Sequence, residues 1–416
     1  MTVRAGHIPF NRAYVTCAEF DYMREAIENA HLAGNGPFSM RCCEWLEREI
    51  GSSRALLTHS CTGALEMAFT LADIGPGDEV IMPSFTFVSV ANAVVARGGV
   101  PVFVDVRRDT FCLDETLIEA AVTERAKAVV PVHYAGVACD MASINGTAER
   151  HNLVLIEDAA HAIQASVNGQ ALGGLGDLAT LSFHETKNVS CGEGGALLVN
   201  DDALVERAEI IHEKGTDRQR FFRGLVDKYT WVDVGSSYAL SDLAAAYLWA
   251  QLEHSEAITA KRRIIWDRYH EAFAGLEANG ELRRPIVPLG CVHNAHMYYV
   301  VVDELATRTR LIDALAAHDI NAVFHFVPLH DSVGGRQYGR IHGELDVTSY
   351  VADRLLRLPL WAGMTAEHVD RVIDGVYAFF GVQSAFDGPL SRDDGSAFPQ
   401  ETDASRSSTP DDIAAA

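Results

Sequence analysis

The sequence predicts an α/β fold, with a mostly parallel central sheet carrying helices on both faces and a smaller C-terminal α+β domain. Three observations carry this. Across residues 54–199 short apolar, β-rich runs alternate with helical ones, the pattern of repeated β-α-β units. After Val234 the texture changes to long helices followed by a second, shorter alternation. The composition, 48% hydrophobic and 22% charged over 416 residues, is that of an ordinary globular chain with room for one large and one small domain.

Taken in order, residues 55–57 read as a strand, 64–71 as a helix, 79–82 as a strand, 89–95 as a helix and 100–104 as a strand. The alternation continues with a strand at 128–132, a helix near 141–150, and strands at 153–156, 178–183 and 196–199. In a doubly wound sheet of this kind, ligands sit at the carboxyl ends of the strands. Residues 241–274 follow as one or two long helices, with Leu243, Ala246, Leu248, Ala250 and Leu252 on the apolar side and a basic cluster at 261–263. The second unit then reads as a strand at 297–302, a helix at 308–317, a strand at 321–326 and a closing helix at 368–380. The expected division is a large domain over 1–255, a small one over 256–382 and a tail over 383–416. That tail holds seven acids, two bases and few apolar residues, a composition expected to stay disordered.

A formal charge of −23 would repel phosphate backbones, so nucleic acid is excluded as a general partner. Residues 1–20 lack the apolar core of a secretory signal, and no 18-residue apolar run exists to span a membrane, so the expected location is the cytoplasm. The eight cysteines show no C-x-x-C spacing and read as reduced thiols. None of the seventeen histidines forms an H-E-x-x-H pair, so no metal site is expected.

Lysine is scarce, with five (Lys127, Lys187, Lys214, Lys228 and Lys261) beside 29 arginines. Four have plain readings as solvated charges near helices, loops or a strand start. Lys187 differs: it follows the apolar run 178–183 and precedes the glycine-rich CGEGG at 191–195, at a strand's carboxyl end. An amine there is a candidate Schiff-base former, or a surface lysine beside a turn. Upstream, the apolar run 153–156 ends in Glu157 and Asp158. A carboxylate so placed suits the pyridinium nitrogen of pyridoxal phosphate, although either acid could instead cap a helix. The turn THSCTGAL at 58–65 closes the first strand and opens a helix, which offers backbone N–H groups and hydroxyls to a phosphate, or a simple N-cap. Phe87, after the second strand, could stack on a flat ring or lie in the core.

Phosphate turn, aromatic, acid and lysine thus fall at the ends of successive strands. With PFNR at 9–12, THSCT at 58–62, PVHYAGVACD at 131–140, FHETK at 183–187 and WVDVGSSY at 231–238, the chain resembles the DegT/DnrJ/EryC1/StrS family of sugar aminotransferases over nearly its whole folded length. The resemblance implies pyridoxal 5'-phosphate as cofactor, in a transferase of fold type I. It implies that Lys187 condenses with the cofactor aldehyde and that Asp158 pairs with the ring nitrogen. Phe87 would stack on the ring, Thr62, Gly63 and Ser182 would hold the phosphate, and His161 would pack near the ring. It also implies a homodimer with shared active sites. Many members have Gly-x-Asn-Tyr-Arg in the loop before the long helices; here Gly235, Ser236, Ser237, Tyr238 and Ala239 stand there, so Ser237 is the expected cross-subunit contact. The implied reaction moves an amino group from glutamate to C4 of a nucleotide-linked 4-keto sugar. The first candidate is dTDP-4-keto-6-deoxyglucose and the alternative a 4-keto pentose. Arg220, Arg223 and His330 are the expected sugar and diphosphate contacts.

Rival readings fit the residues less well. A dehydratase on the same scaffold would carry His in place of Lys187, and a dinucleotide enzyme would need a G-x-G-x-x-G that neither 173–176 nor 192–195 completes. A non-catalytic regulator is expected to have lost the lysine or the acid; both are present.

Overall fold

The structure, a computed structural model, describes residues 6–382; the expected acidic tail lies outside the described residues. In chain order the strands are β1 (Arg54–Thr58), β2 (Glu79–Pro83), β3 (Val100–Val104), β4 (Ala126–Val129) and β5 (Val154–Asp158). They continue with β6 (Ser166–Val167), β7 (Gln170–Ala171), β8 (Leu178–Ser182), β9 (Gly195–Val199) and β10 (Cys291–Val292). The last three are β11 (Tyr298–Val301), β12 (Arg340–Ile341) and β13 (Leu355–Leu358). Eight of these form the main sheet, in the order β1-β9-β8-β5-β4-β2-β3-β12. Among the described residues, no helix is long and apolar enough to cross a membrane.

Only β9 runs against its neighbours, antiparallel to both β1 and β8. The segment between β8 and β9 contains no crossover helix, so the chain can only turn back, whereas parallel neighbours need a long return. The register places Thr58 and Ser182 both opposite Gly195, and Asp158 opposite Thr180. The carboxyl ends of β1, β5 and β8 therefore share one edge of the sheet, and the connection between β8 and β9 leaves from it. Strands buried on both faces read as continuous apolar runs, and β2, β8 and β9 are buried at every position.

Helices cover both faces. Cys61–Leu71 and Val88–Ala96 pack on one side with Val80, Met82 and Ile156, while Pro37–Ile50 and Asp242–Glu253 cover Leu57, Leu181 and Leu198 on the other. The C-terminal unit pairs β11 with β13 under the helices Ser255–Ala272, Leu305–Ala317 and Ala366–Phe380. Its core is aromatic, built on Trp266, Tyr269, Phe273 and Tyr298.

Two buried aspartates cap helices from elsewhere in the chain. The helix Pro37–Ile50 has Gly36 at its N-cap and no side-chain acceptor of its own. Asp242 takes over: Oδ1 accepts from the Ser39 N–H and hydroxyl at 2.8 Å each, and Oδ2 from Phe38 N–H at 3.3 Å. A Cβ at Gly36 would lie 2.5 Å from that carboxylate, so the approach requires glycine. Asp105, just past β3, does the same for the helix Asp346–Arg354, accepting from Val347 N–H at 2.9 Å and Thr348 N–H at 2.8 Å. Such contacts satisfy helix N–H groups that would otherwise be orphaned.

The sequence-based strands at 55–57, 79–82, 100–104, 178–183 and 196–199 fall on β1, β2, β3, β8 and β9 within a residue or two. Two expectations fail. The strand expected at 128–132 is Ala126–Val129: Pro131 has no N–H to donate and interrupts the ladder, which resumes as a single parallel bridge of Val132 with Asp158. The strand expected at 321–326 is an extended segment with a single antiparallel bridge, Val323 to Arg357. Its carbonyl at Phe324 accepts the Arg357 guanidinium instead of a neighbouring strand. Conversely, β12, from late in the chain, adds a parallel edge to the main sheet beside β3.

That edge is held by charge. Glu79 is fully buried and accepts from Arg340 Nε at 3.0 Å and Nη2 at 2.7 Å, from Arg125 Nη2 at 2.7 Å and from the Thr123 hydroxyl at 2.7 Å. The Arg340 hydrogen bonds lead in holding its carboxyl down at about 2, against burial. Glu79→Gln is expected to cost roughly 2–4 kcal/mol, since two guanidiniums lose their carboxylate. A carboxyl depressed in the folded state stabilises above its unfolded value of about 4.3, and this contribution fades as pH falls toward about 2. Thermal unfolding of wild type and variant should therefore differ most at neutral pH and converge between about pH 4.5 and about pH 2.

Candidate active site

The carboxyl edge of the sheet opens into a cavity of about 790 Å³, lined by Cys61, Thr62, Phe87, Asp158, Ser182 and Lys187 among others. Lys187 is placed by a tight turn after β8, its N–H donating to His184 O at 2.9 Å. Burial pushes its amine below the ordinary lysine value, partly offset by the charges of Cys61 and Asp158 and reinforced by Arg357. More of it is therefore neutral, the form that acts as nucleophile and base.

Asp158 ends β5, 5% exposed. Its Oδ1 accepts from Ala160 N–H at 3.1 Å, and Oδ2 meets no donor among the described residues. Burial raises this carboxyl above its ordinary value, with the Ala160 hydrogen bond and the charge of Lys187 pulling the other way. A cavity-lining carboxylate short of one donor fits a protonated ring nitrogen. Glu157 faces the opposite side of the strand, so neither acid caps a helix.

The turn at Ser60–Gly63 presents a helix N-terminus to the cavity. Ser60 caps Cys61–Leu71, its Oγ accepting from Gly63 N–H at 3.1 Å, and the Thr62 hydroxyl lies 2.8 Å from that of Ser89. With Ser182 at the end of β8, this donor set suits a phosphate. The turn sits directly on β9: a Cβ on Gly195 would lie 2.5 Å from Cys61 N and 2.6 Å from Ser60 C, backbone atoms that cannot yield. Phe87 lines the cavity, is 59% exposed and belongs to no core, as a stacking face requires. The donor set, acid, amine and ring face thus fit pyridoxal phosphate.

A histidine wall closes another side. His161 and His296 stack with ring centroids 4.2 Å apart, and His325 lies 6.2 Å from His161. His325 Nδ1 is 2.7 Å from the Tyr134 hydroxyl. Burial drives all three imidazoles well below their ordinary value, so they are neutral near pH 7. Asn294 fixes the wall, its amide donating to His161 O and Ile163 O at 2.7 Å each, while Asn188, next to the lysine, reaches His296 Nδ1 at 3.0 Å.

Of the residues singled out from sequence, Lys187, Asp158, Thr62, Phe87, His161 and Ser182 line this cavity, and Gly63 stands in the turn beside it. Four do not line it within one chain. Ser237 is exposed, in a bridge with Glu213. Arg220 and Arg223 lie in the short helix Arg218–Phe222 and its cap, ion-paired with Glu206 at 3.4 Å and Glu209 at 2.7 Å. His330 Nδ1 is engaged by the Ser84 hydroxyl at 2.7 Å. Sequence reasoning passed over His296, His325, Arg262 and Arg357, which do line the cavity. For Arg357 a signal existed: a lone charge inside the apolar strand β13.

A family model for DegT/DnrJ/EryC1/StrS aminotransferases matches residues 15–377. The spore coat polysaccharide biosynthesis protein SpsC of Bacillus subtilis is 33% identical over 377 residues, covering 89% of this chain and 96% of SpsC. Among solved structures, the aminotransferase TlmJ of Streptoalloteichus hindustanus superposes with a TM-score of 0.82 at 30% identity, over 90% of this chain and 99% of its own. The putative sugar aminotransferase Spr1654 of Streptococcus pneumoniae, in its PMP form, gives 0.83 at 25% identity, over 90% and 97%. The chain belongs to the DegT/DnrJ/EryC1/StrS aminotransferase family, and its cofactor is pyridoxal phosphate.

Proposed function

We propose that this protein transfers an amino group from glutamate to C4 of a nucleotide-linked 4-keto sugar, with dTDP-4-keto-6-deoxyglucose as the first substrate to test. The observation that carries the reading is the buried amine of Lys187 sharing one cavity with the donor-short carboxylate of Asp158 at the sheet's carboxyl edge. When bound, pyridoxal phosphate supplies the reactive carbonyl and the electron sink. Asp158 would hold its ring nitrogen, Phe87 and His161 its ring, and Thr62, Gly63 and Ser182 its phosphate.

Lys187 Nζ takes the proton from Cα of glutamate and later returns a proton to C4 of the sugar, with the amino group held on the cofactor between the two halves. Water supplies the keto oxygen of the departing 2-oxoglutarate and is released again when the 4-keto sugar takes the amine. The proton abstraction uses the neutral amine that burial favours, and the ammonium it forms is the donor for the return step. The water-poor wall of neutral imidazoles competes little for that proton. The reading includes a cytoplasmic homodimer in which Ser237 of the partner subunit completes the phosphate site. Exposed Phe222, Leu225, Trp231 and Val234 near that loop support such an interface. In it, Arg220, Arg223 and His330 would meet the sugar diphosphate across or near the interface, and residues 1–255 and 256–382 form its large and small domains. A 4-keto pentose nucleotide is the competing substrate in the same assay.

Wild type reconstituted with pyridoxal phosphate should show a visible absorbance band that glutamate bleaches, and Lys187→Ala should lose both. Amino exchange with glutamate surviving in Lys187→Ala would sink the reading. Asp158→Asn should keep the fold and lower turnover by about 10²–10⁴-fold, measured by 2-oxoglutarate release. The rate of the glutamate half-reaction should rise with pH and level off below the ordinary lysine value of about 10.4. Because the Asp158 charge favours the ammonium form, Asp158→Asn should move that bend to still lower pH.

A further inference from the structure

The chain carries −23, yet two guanidiniums, Arg262 and Arg357, line the cavity with Lys187, beside two acids, Asp158 and Glu193. Neither guanidinium pairs with a carboxylate among the described residues. Arg262 is 3% exposed and donates only to backbone, Nε to Ala295 O at 3.1 Å and Nη2 to His296 O at 2.7 Å. Arg357, on β13, gives Nε and Nη2 to Phe324 O at 3.3 and 2.9 Å, and stacks its guanidinium 4.6 Å from the centroid of Phe10. Its Nη1 has no protein acceptor among the described residues.

Leaving a buried guanidinium without a counter-charge is costly, and burial lowers Arg357 to about 10 and Arg262 to about 9. Other arginines with buried carboxylates near them pair with those groups, as Arg340 does with Glu79 and Arg107 with Glu115. The histidines around Arg357 are neutral, so they offer no competing charge. The missing counter-charge fits an anionic ligand.

We propose that Arg357 is the anion-binding group of this cavity and takes a carboxylate of the amino donor on the guanidinium edge that Phe324 leaves open, with Arg262 of the same cavity lining adding positive charge. This rests on the aminotransferase reading for the donor's identity, but the contact can be read without any amino transfer. Arg357 thereby sets a preference for acidic donors over neutral amines. A planar fork suits a carboxylate better than an ammonium does, so arginine and lysine are not equivalent here.

The test is calorimetric titration of the cofactor-loaded protein with glutarate, a dicarboxylate that has no amine to react. Wild type, Arg357→Gln, Arg357→Lys and Lys187→Ala would be compared, with dTDP as a second probe and thermal midpoints as a check on folding. Arg357→Gln should weaken glutarate by about 10- to 100-fold, Arg357→Lys by less, and neither should alter dTDP. Lys187→Ala should still bind glutarate, so failure of the Lys187 chemistry would appear in the absorbance experiment alone. Unchanged glutarate affinity in Arg357→Gln, no glutarate binding by wild type, or an equal loss for dTDP would each overturn the proposal.

Discussion

The site hangs on one buried carboxylate that takes no part in the chemistry. Glu157, fully buried on β5, accepts from His133 Nε2 at 2.8 Å, Gly173 N–H at 2.9 Å, Leu175 N–H at 2.6 Å and Gly176 N–H at 2.7 Å. His133 Nδ1 accepts from Cys139 N–H, so the proton sits on Nε2 and points at the carboxylate. Burial alone would raise the Glu157 carboxyl, but these donors hold it below the ordinary range. One carboxylate thus ties β5 to the loop 131–139 and to the turn 173–176. Because side chains alternate along a strand, fixing Glu157 on one face fixes Asp158 on the other. The backbone repeats the tie, with Asp158 N–H donating to Pro131 O at 2.9 Å and His133 N–H to Asp158 O at 3.1 Å.

From that anchor the geometry spreads outward. Tyr134, next to His133, is buried and meets His325. His161, three residues past Asp158, stacks on His296. A hydrogen bond in such a dry setting is stronger than in water, and an unmet one costs more. The same dryness magnifies the attraction between Lys187 and Asp158 and suppresses charge on the imidazoles.

The sheet and the chemical residues were legible because both depend on local pattern. Apolar runs buried on two faces stand out, and Lys187 and Asp158 each follow such a run. The opposite wall was not legible in the same way. His296, His325 and Arg357 lie on three separated segments of the C-terminal unit, and nothing in their neighbours announces that the fold brings them to the same cavity as Lys187. The segment 321–326 misled for a related reason: its apolar residues suggest a strand, but the Phe324 carbonyl is taken by a side chain and the ladder never forms. Arg220, Arg223 and Ser237 mark the boundary from the other side, since a single chain leaves them outside the cavity.

The cavity therefore has two walls of different origin. The sheet edge supplies amine, acid and phosphate turn on backbone that is buried and doubly paired. The facing wall comes from loops and from β13, carried on a unit whose aromatic core is separate from those of the sheet. Asp105 and Glu79 clamp the two together through helix Asp346–Arg354 and strand β12, away from the reacting groups. The two walls are tied by side-chain contacts, such as Asn188 to His296 and to Asn294 O, and not by ladder hydrogen bonds. A substitution in the facing wall can therefore change what the cavity accepts while the sheet edge that carries Lys187 and Asp158 keeps its pairing. Chemistry held by a sheet and recognition held by a clamped second unit is an arrangement in which substrate preference can drift while the reaction stays fixed.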